Sequence, residues 1–408
     1  MRRVVVSGLG VMSALGNTTA TFFDSLSAGR SGVRRLSHQF AEDATPRLAA
    51  EVDFDPAKHF SRMRMNMLDR TTTLALLAAR QAFADAGISV EQPEAFGVYW
   101  GTGAGGANTM EEAYRGIWQD PPARMKPATV VMAMNNAAAS EISLEHGLQG
   151  PSFTYSTACS SSAVAIGEAF RAIRYGHVDC VVAGGAEAVL TMGSLQAWHS
   201  LQILAQEDPD DLATSCRPFA RDRTGFVIGE SGGAIVLEEV HHAMQRGANI
   251  YAELVGFGVS SDAQHVTRPS PGGQARAISF ALQEARLAPS EIGYINSHGT
   301  ATSVGDVAET EAIKMALGDH ARRVAISSTK SMHGHLMGAS GAVEFIAALL
   351  TLQHRVLPPT AHLFYPDAEC DLDYVPREAR QVKTLDAVMS NSFAFGGNNA
   401  VLVARRFV

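Results

Sequence analysis

Widely separated stretches of this sequence repeat one order of local patterns, and that narrows the folds open to it. Ser7–Ser13 reads SGLGVMS and Val255–Ser261 reads VGFGVSS. The first is followed by AFADAGI (Ala82–Ile88) and GVYWG (Gly97–Gly101), the second by ALQEARL (Ala281–Leu287) and GYINS (Gly293–Ser297). STAC (Ser156–Cys159) and SSTK (Ser327–Lys330) come next, each leading into a helical pattern. Each similarity is weak alone, but the shared order points to two related halves. The boundary falls near Gly247–Asn249, giving units 1–248 and 249–408. No Gly/Ser linker separates them, so a shared core is expected rather than mobile domains.

Short β-branched runs alternate with amphipathic runs, which indicates an α/β fold with buried sheets. Strands are predicted at Arg3–Ser7, Gly97–Gly101, Phe153–Ser156, Cys180–Ala183, Ala234–Leu237, Tyr251–Gly256, Gly293–Asn296, Val324–Ser327, Ala387–Ser390 and Val401–Ala404. Helices are predicted at Thr73–Ala86, Ser161–Tyr175, Ala275–Ala285, Val307–Leu317 and Ala339–Leu352. An insertion rich in basic residues and methionines occupies roughly residues 17–70. At the N-terminus, Gly8 and Gly10 interrupt the apolar run. A strand followed by a glycine turn fits that pattern better than a signal peptide.

Several classes drop out on composition. With 408 residues and 46% apolar content, the chain can bury a core without disulfides or metals. Its net charge of −8 argues against a nucleic-acid partner. No apolar run reaches the ~18 residues of a membrane span. The four cysteines, Cys159, Cys180, Cys216 and Cys370, form no CxxC pair or common zinc spacing. The expectation is a cytoplasmic protein with reduced thiols.

The chemistry-bearing segments lie where predicted strands end. In YSTACSSS (Tyr155–Ser162) a helix starts at Cys159. A helix N-terminus offers free N–H groups and a positive dipole end, which favour a thiolate. A buried structural cysteine is the competing reading. Cys180 reads as strand core, Cys216 as a loop cysteine, and Cys370 lies in an acidic loop. His298 ends a strand before Gly299, and Lys330, His333 and His335 occupy the next such turn. The loop NSFAFGGNNA (Asn391–Ala400) is a source of oxyanion-hole N–H groups. A metal reading joins His298, His333, His335 and Asp306, but flanking glycines make a loop rather than a ligand-bearing helix. Thiolate and imidazole N–H groups together suit thioester exchange and carbon–carbon bond formation.

These segments resemble the β-ketoacyl-ACP synthases of the KAS I/II group almost end to end. The resemblance rests on TACSSS, GGAEA (Gly184–Ala188), RPFARDRTGFVIGE (Arg217–Glu230), YAELVGFGVSSDAQH (Tyr251–His265), HGTATSVGD (His298–Asp306), SSTKSMHGHLMGASGAVE (Ser327–Glu344) and NSFAFGGNNA. It implies a thiolase-like fold, five-layered αβαβα with two similar halves, in a homodimer. It implies Cys159 as acyl-accepting nucleophile, with His298 and His335 holding the malonyl thioester and Lys330 supporting them. It further implies an oxyanion hole from the N–H groups of Cys159 and Phe395, with Phe395 also the gate. Thr300 and Thr302 match pantetheine contacts, Ala104 and Phe393 substrate-pocket positions, and Glu344 a structural support. His333 matches no catalytic position.

The implied partner is acyl carrier protein, bringing acyl and malonyl groups, with no metal or other cofactor. The His/His pattern sets the chain apart from starters on acyl-CoA, which carry His and Asn. No cysteine follows the C-terminal glycines, as a thiolase would require. Ala104 replaces a bulky apolar residue, Asn398 stands where Thr is common, and LQILAQEDPDD (Leu201–Asp211) lacks the arginines relatives use for carrier docking. Docking then falls to Arg62, Arg64, Arg70, Arg268 or other basic residues, or the partner is a specialised carrier. The leading expectation is a KAS II-like enzyme of fatty acid elongation; the alternative is a dedicated condensing enzyme of a nodulation-type or polyketide-like pathway. A cysteine hydrolase or acyltransferase, and a non-catalytic partner subunit, are the remaining classes.

Overall fold

The computed structural model describes residues 1–37, 47–119 and 125–408. Part of the expected insertion at 17–70 therefore lies outside the described residues. Ten strands form one sheet: β1 (Val4–Met12), β2 (Phe96–Gly101), β3 (Ser152–Tyr155), β4 (Cys180–Glu187), β5 (Ser231–Glu239), β6 (Ala252–Ser261), β7 (Tyr294–Asn296), β8 (Ala325–Ser327), β9 (Ala387–Ala394) and β10 (Asn398–Arg405). They are the ten expected strands, most of them longer than expected.

The sheet order is β3-β2-β4-β5-β1-β6-β10-β9-β7-β8. Read inward from either edge, each set of five strands follows the order third, second, fourth, fifth, first. The two sets meet where β1 pairs antiparallel with β6 through Val4–Leu254, Val5–Glu253 and Val6–Ala252.

Five helices sort into layers: α1 (Arg70–Ala86), α2 (Ser161–Arg174), α3 (Pro271–Ala285), α4 (Gly305–Leu317) and α5 (Ser340–His354). The α2 and α5 helices pack on each other and on strands of both sets, so they form the central layer. In α5 every residue from Ser340 to Leu352 is buried. The α1 helix covers β1 and β5 from one outer side, while α3 covers β6 and β10 from the other. The result is five layers, αβαβα. Strands covered on both faces read as continuous apolar runs, and β1, β4 and β5 are buried at every position.

The repeated glycine motif has a different cause from the one expected. Gly8 and Gly10 do not form a turn after β1; they lie inside it. A Cβ at Gly8 would stand 2.2 Å from the carbonyl oxygen of Ala82, and one at Gly10 would stand 2.0 Å from that of Ala78. In the second set, Gly256 and Gly258 meet the carbonyls of Ala281 and Ala277 at 2.3 and 2.0 Å. Both motifs are the same device, a Gly-x-Gly strand face that lets an Ala-rich helix press its backbone against the sheet.

Candidate active site

Cys159 is held by the turn between β3 and α2. Ala158 adopts a left-handed φ of 51°, which costs a non-glycine residue of order 1 kcal/mol. The serines that follow hold this turn together. Ser160 Oγ donates to Thr157 O at 2.8 Å, and Ser161 Oγ donates to Ala158 O at 2.6 Å and accepts Thr157 N–H at 2.9 Å. Ser162 Oγ accepts the N–H of Ala342 at 2.9 Å, tying the nucleophile turn to α5.

The thiolate expected at a helix start is not favoured: the helix begins at Ser161, and burial pushes the Cys159 thiol up to about 12, against the pull of the Lys330 charge and of the Phe395 N–H that points at it. The Sγ of Cys159 and one ring nitrogen each of His298 and His335 lie within 4.8 Å of one another. Such a trio of donors could hold a soft divalent ion. His333 and Asp306, the other members of the metal reading, turn away from it. His333 bonds Thr329 Oγ1 at 2.9 Å and Gly334 O at 2.8 Å, and Asp306 accepts the N–H groups of Phe219 and Ala301 at 2.7 and 3.1 Å.

Both histidines are held as neutral donors. Burial, then the Lys330 charge, hold both rings well below the usual imidazole range. The Nδ1 of His335 accepts the backbone N–H of Met337 at 3.0 Å and faces Ser340 Oγ at 3.2 Å. A backbone N–H can only donate, so the proton of His335 sits on Nε2. Lys330 Nζ likewise lies 3.3 Å from Nδ1 of His298 and leaves Nε2–H free. Lys330 and Glu344 form an ion pair with both side chains fully buried, and burial pushes the Glu344 carboxyl up to about 7 against the pull of Lys330.

A cavity of about 220 Å³ opens onto these groups. Thr300, Thr302, Phe393 and Phe395 line it, as does Arg268. The Thr300 and Thr302 hydroxyl oxygens lie 3.0 Å apart. Phe393 stands 6.3 Å from His298 between ring centroids. Ala104 does not line this cavity; it lies on an exposed loop and gives its N–H to Glu187 at 3.0 Å. Of the basic residues expected to dock a carrier, Arg70 is engaged with buried Glu230 and Arg64 with Glu141.

Sequence reasoning missed three contributors. Glu309, on α4, accepts the N–H groups of His298 at 2.9 Å and Gly299 at 2.7 Å and so fixes the histidine's backbone. Trp198 lines the cavity 6.1 Å from Phe395, and Phe226 stacks edge-on to His335 at 4.8 Å. Phe226 lies in the motif RPFARDRTGFVIGE, where an aromatic beside a glycine turn is the available signal.

Residues 1–243 match the family model "Beta-ketoacyl synthase, N-terminal domain", and residues 251–364 match "Beta-ketoacyl synthase, C-terminal domain". The chain belongs to the β-ketoacyl synthase family. The synthase is 40% identical to 3-oxoacyl-[acyl-carrier-protein] synthase 2 of Synechocystis, covering 100% of this chain and 98% of that one. The protein of the same name from Coxiella burnetii is also 40% identical, over 99% of both chains. A β-ketoacyl synthase from Burkholderia phymatum superposes with a TM-score of 0.92 at 35% identity, over 100% of both chains. A ketosynthase solved with its acyl-carrier protein, from a type II polyketide system, superposes at 0.91 with 31% identity, again over 100% of both chains. The five layers of the synthase are those of the thiolase-like fold.

Proposed function

We propose that this synthase joins an acyl group carried on Cys159 to malonyl-ACP by decarboxylative Claisen condensation, as a 3-oxoacyl-ACP synthase of fatty acid elongation. The observation that carries the reading is one thiol and two neutral imidazoles, each ring donating from Nε2, converging in one buried cavity. Sγ of Cys159 attacks the acyl thioester, the bond to the carrier thiol breaks, and the thiol proton passes to the departing sulfur. Malonyl-ACP follows. Its bond to the carboxylate breaks, CO2 leaves, and the electron pair enters the thioester as an enolate. The Nε2–H groups of His298 and His335 donate to that oxygen, which needs donors rather than a base. The enolate carbon attacks the Cys159 thioester, whose oxyanion is held by the N–H groups of Cys159 and Phe395. Collapse releases the Cys159 thiolate, which regains a proton, and 3-oxoacyl-ACP.

In this reading Lys330 fixes the His298 ring, Glu344 holds Lys330, Phe395 gates the cavity, and Thr300 and Thr302 contact the pantetheine arm. Of the four named arginines, Arg62 and Arg268 are the ones we assign to meet the carrier, beside other basic residues of the surface. The halves divide at 248/249, in keeping with the matching strand orders. A reducing, cytoplasmic setting suits a thiol enzyme.

The homodimer rests on the sheet's two ends. At one end, β8 is buried, and the N–H of Ile326 bonds Asp373 O at 2.8 Å. At the other, β3 lies open, with Phe153 51% exposed. Beside it the helices Ala107–Gln119, Thr129–Ala133 and Ala137–His146 expose Trp118, Val130, Val131 and Leu144. A bare edge flanked by apolar side chains calls for a cover, and a second copy supplies one.

The test supplies acyl-ACPs of several lengths with malonyl-ACP and measures CO2 and 3-oxoacyl-ACP together. Stoichiometric release of both is expected, whereas free acid without CO2 would mark a hydrolase. His298→Ala should impair decarboxylation more than acyl loading; equal loss of both would contradict its assigned role.

A further inference from the structure

We propose that Glu187 is a positioning residue for the malonyl half-reaction, clamping the turn that orients His335 onto the glycine loop after β2. The inference rests on the condensing reading above.

Glu187 ends β4 and is fully buried. Its Oε1 accepts the Thr102 hydroxyl at 3.0 Å and the Ala104 N–H at 3.0 Å. Its Oε2 accepts the N–H groups of Gly103 at 2.6 Å and Gly338 at 3.0 Å. None of these four donors is a cation, so backbone N–H groups and one hydroxyl hold the carboxylate. Two of the donors are glycines for a steric reason. A Cβ at Gly103 or Gly338 would lie 2.8 or 2.6 Å from Oε2.

The clamp reaches His335 through Met337. That residue has a left-handed φ of 49°, so its two flanking peptide groups point in set directions. Its own N–H bonds Nδ1 of His335, and the N–H of the next residue, Gly338, bonds Glu187. Holding Gly338 therefore holds the group that keeps the His335 proton on Nε2. Three of the four donors belong to the first half of the chain or its loop, and Gly338 to the second. Glu187 thus stitches the two halves beside the nucleophile. Glu187 faces Cys159 together with Lys330 and Glu344; its charge disfavours the thiolate, while burial pushes its own carboxyl up against the pull of the four donors.

Shape and charge give separable readouts in Glu187→Gln. The amide keeps the volume, but its NH2 group meets N–H donors and the charge is gone. The expected result is a fall of about tenfold or more in kcat for condensation, the scale of one lost charge-assisted hydrogen bond. Acylation of Cys159 from acyl-ACP should fall much less, and the pH profile of Cys159 alkylation by iodoacetamide should move to lower pH. Thr102→Val removes one donor and keeps the charge. It should lower condensation more mildly, spare acylation and leave the alkylation profile in place.

Equal losses in both half-reactions with an unmoved alkylation profile would reduce Glu187 to a fold residue and overturn the proposal. So would wild-type condensation in Glu187→Gln. If that variant does not fold, Thr102→Val with an unchanged ratio of condensation to acylation overturns it instead. Wild-type enzyme run alongside separates the two levels. Absence of 3-oxoacyl-ACP there would sink the condensing reading itself.

Discussion

Burial pushes the Cys159 thiol up to about 12, so in the proposed reaction it gives its proton to the carrier sulfur as that sulfur leaves. Cys159→Ala should therefore abolish condensation altogether, and a carrier-bound 3-oxo product from that variant would contradict its role. Cys159→Gln fills the space of an acylated cysteine, so malonyl decarboxylation should survive without condensation, read as CO2 release with acetyl-ACP. His333 offers a test of burial free of catalysis. Burial and the Lys330 charge push its ring down to about 3 from a usual 6.5. A depressed histidine contributes stability that is full above about 6.5, its unfolded value, and is lost as pH falls toward the folded one. Relative to His333→Thr, wild type should lose about 1.4 kcal/mol per pH unit between about pH 6 and 4, followed by urea unfolding. A difference that does not change with pH would mean that His333 is solvated or protonated in the fold. That Cys159, His298, Lys330 and His335 meet was legible because Cys159, His298 and Lys330 each follow a strand end and His335 closes the turn after Gly334. Glu187 and Glu309 were not, because most of their partners are backbone N–H groups, which leave no mark in a sequence.

Helices α2 and α5 show what patterning can and cannot say at the scale of elements. Both were placed within a few residues, but their central position was not readable from periodicity. A helix pressed between two strand sets is apolar nearly all round, and α5 still carries Glu344, which pairs with Lys330 of the preceding turn. Leu349 in α5 is fully buried, and Leu349→Ala should cost about 2–5 kcal/mol in urea unfolding. Met315 on α4 is 62% exposed, and Met315→Ala should stay within about 0.5 kcal/mol. Similar costs for both would deny the central layer. Strand ends were the least legible boundaries. β1 runs through Gly8 and Gly10 because α1 packs on that face, a tertiary cause that turn propensity misread as a break. The order of β9 and β10 likewise depends on pairing rather than on local preference.

At the scale of the molecule, the repeated order of motifs foretold the most, since two sets of five strands with one common order meet at β1 and β6. What it could not foretell was the bare edge at β3. The dimer reading expects sedimentation at twice the chain mass, and Trp118→Asp with Val131→Asp should shift it toward monomer. A wild-type monomer, or a dimer indifferent to both changes, would put the contact elsewhere. In the proposed function one buried thiol carries the acyl chain that the histidine-held enolate attacks. The most direct test of that step is mass spectrometry of the intact protein with acyl-ACP, before and after malonyl-ACP is added. The expected result is an acyl adduct on the Cys159 peptide that disappears as 3-oxoacyl-ACP forms. Product formed with no adduct, or an adduct on another residue, would contradict it.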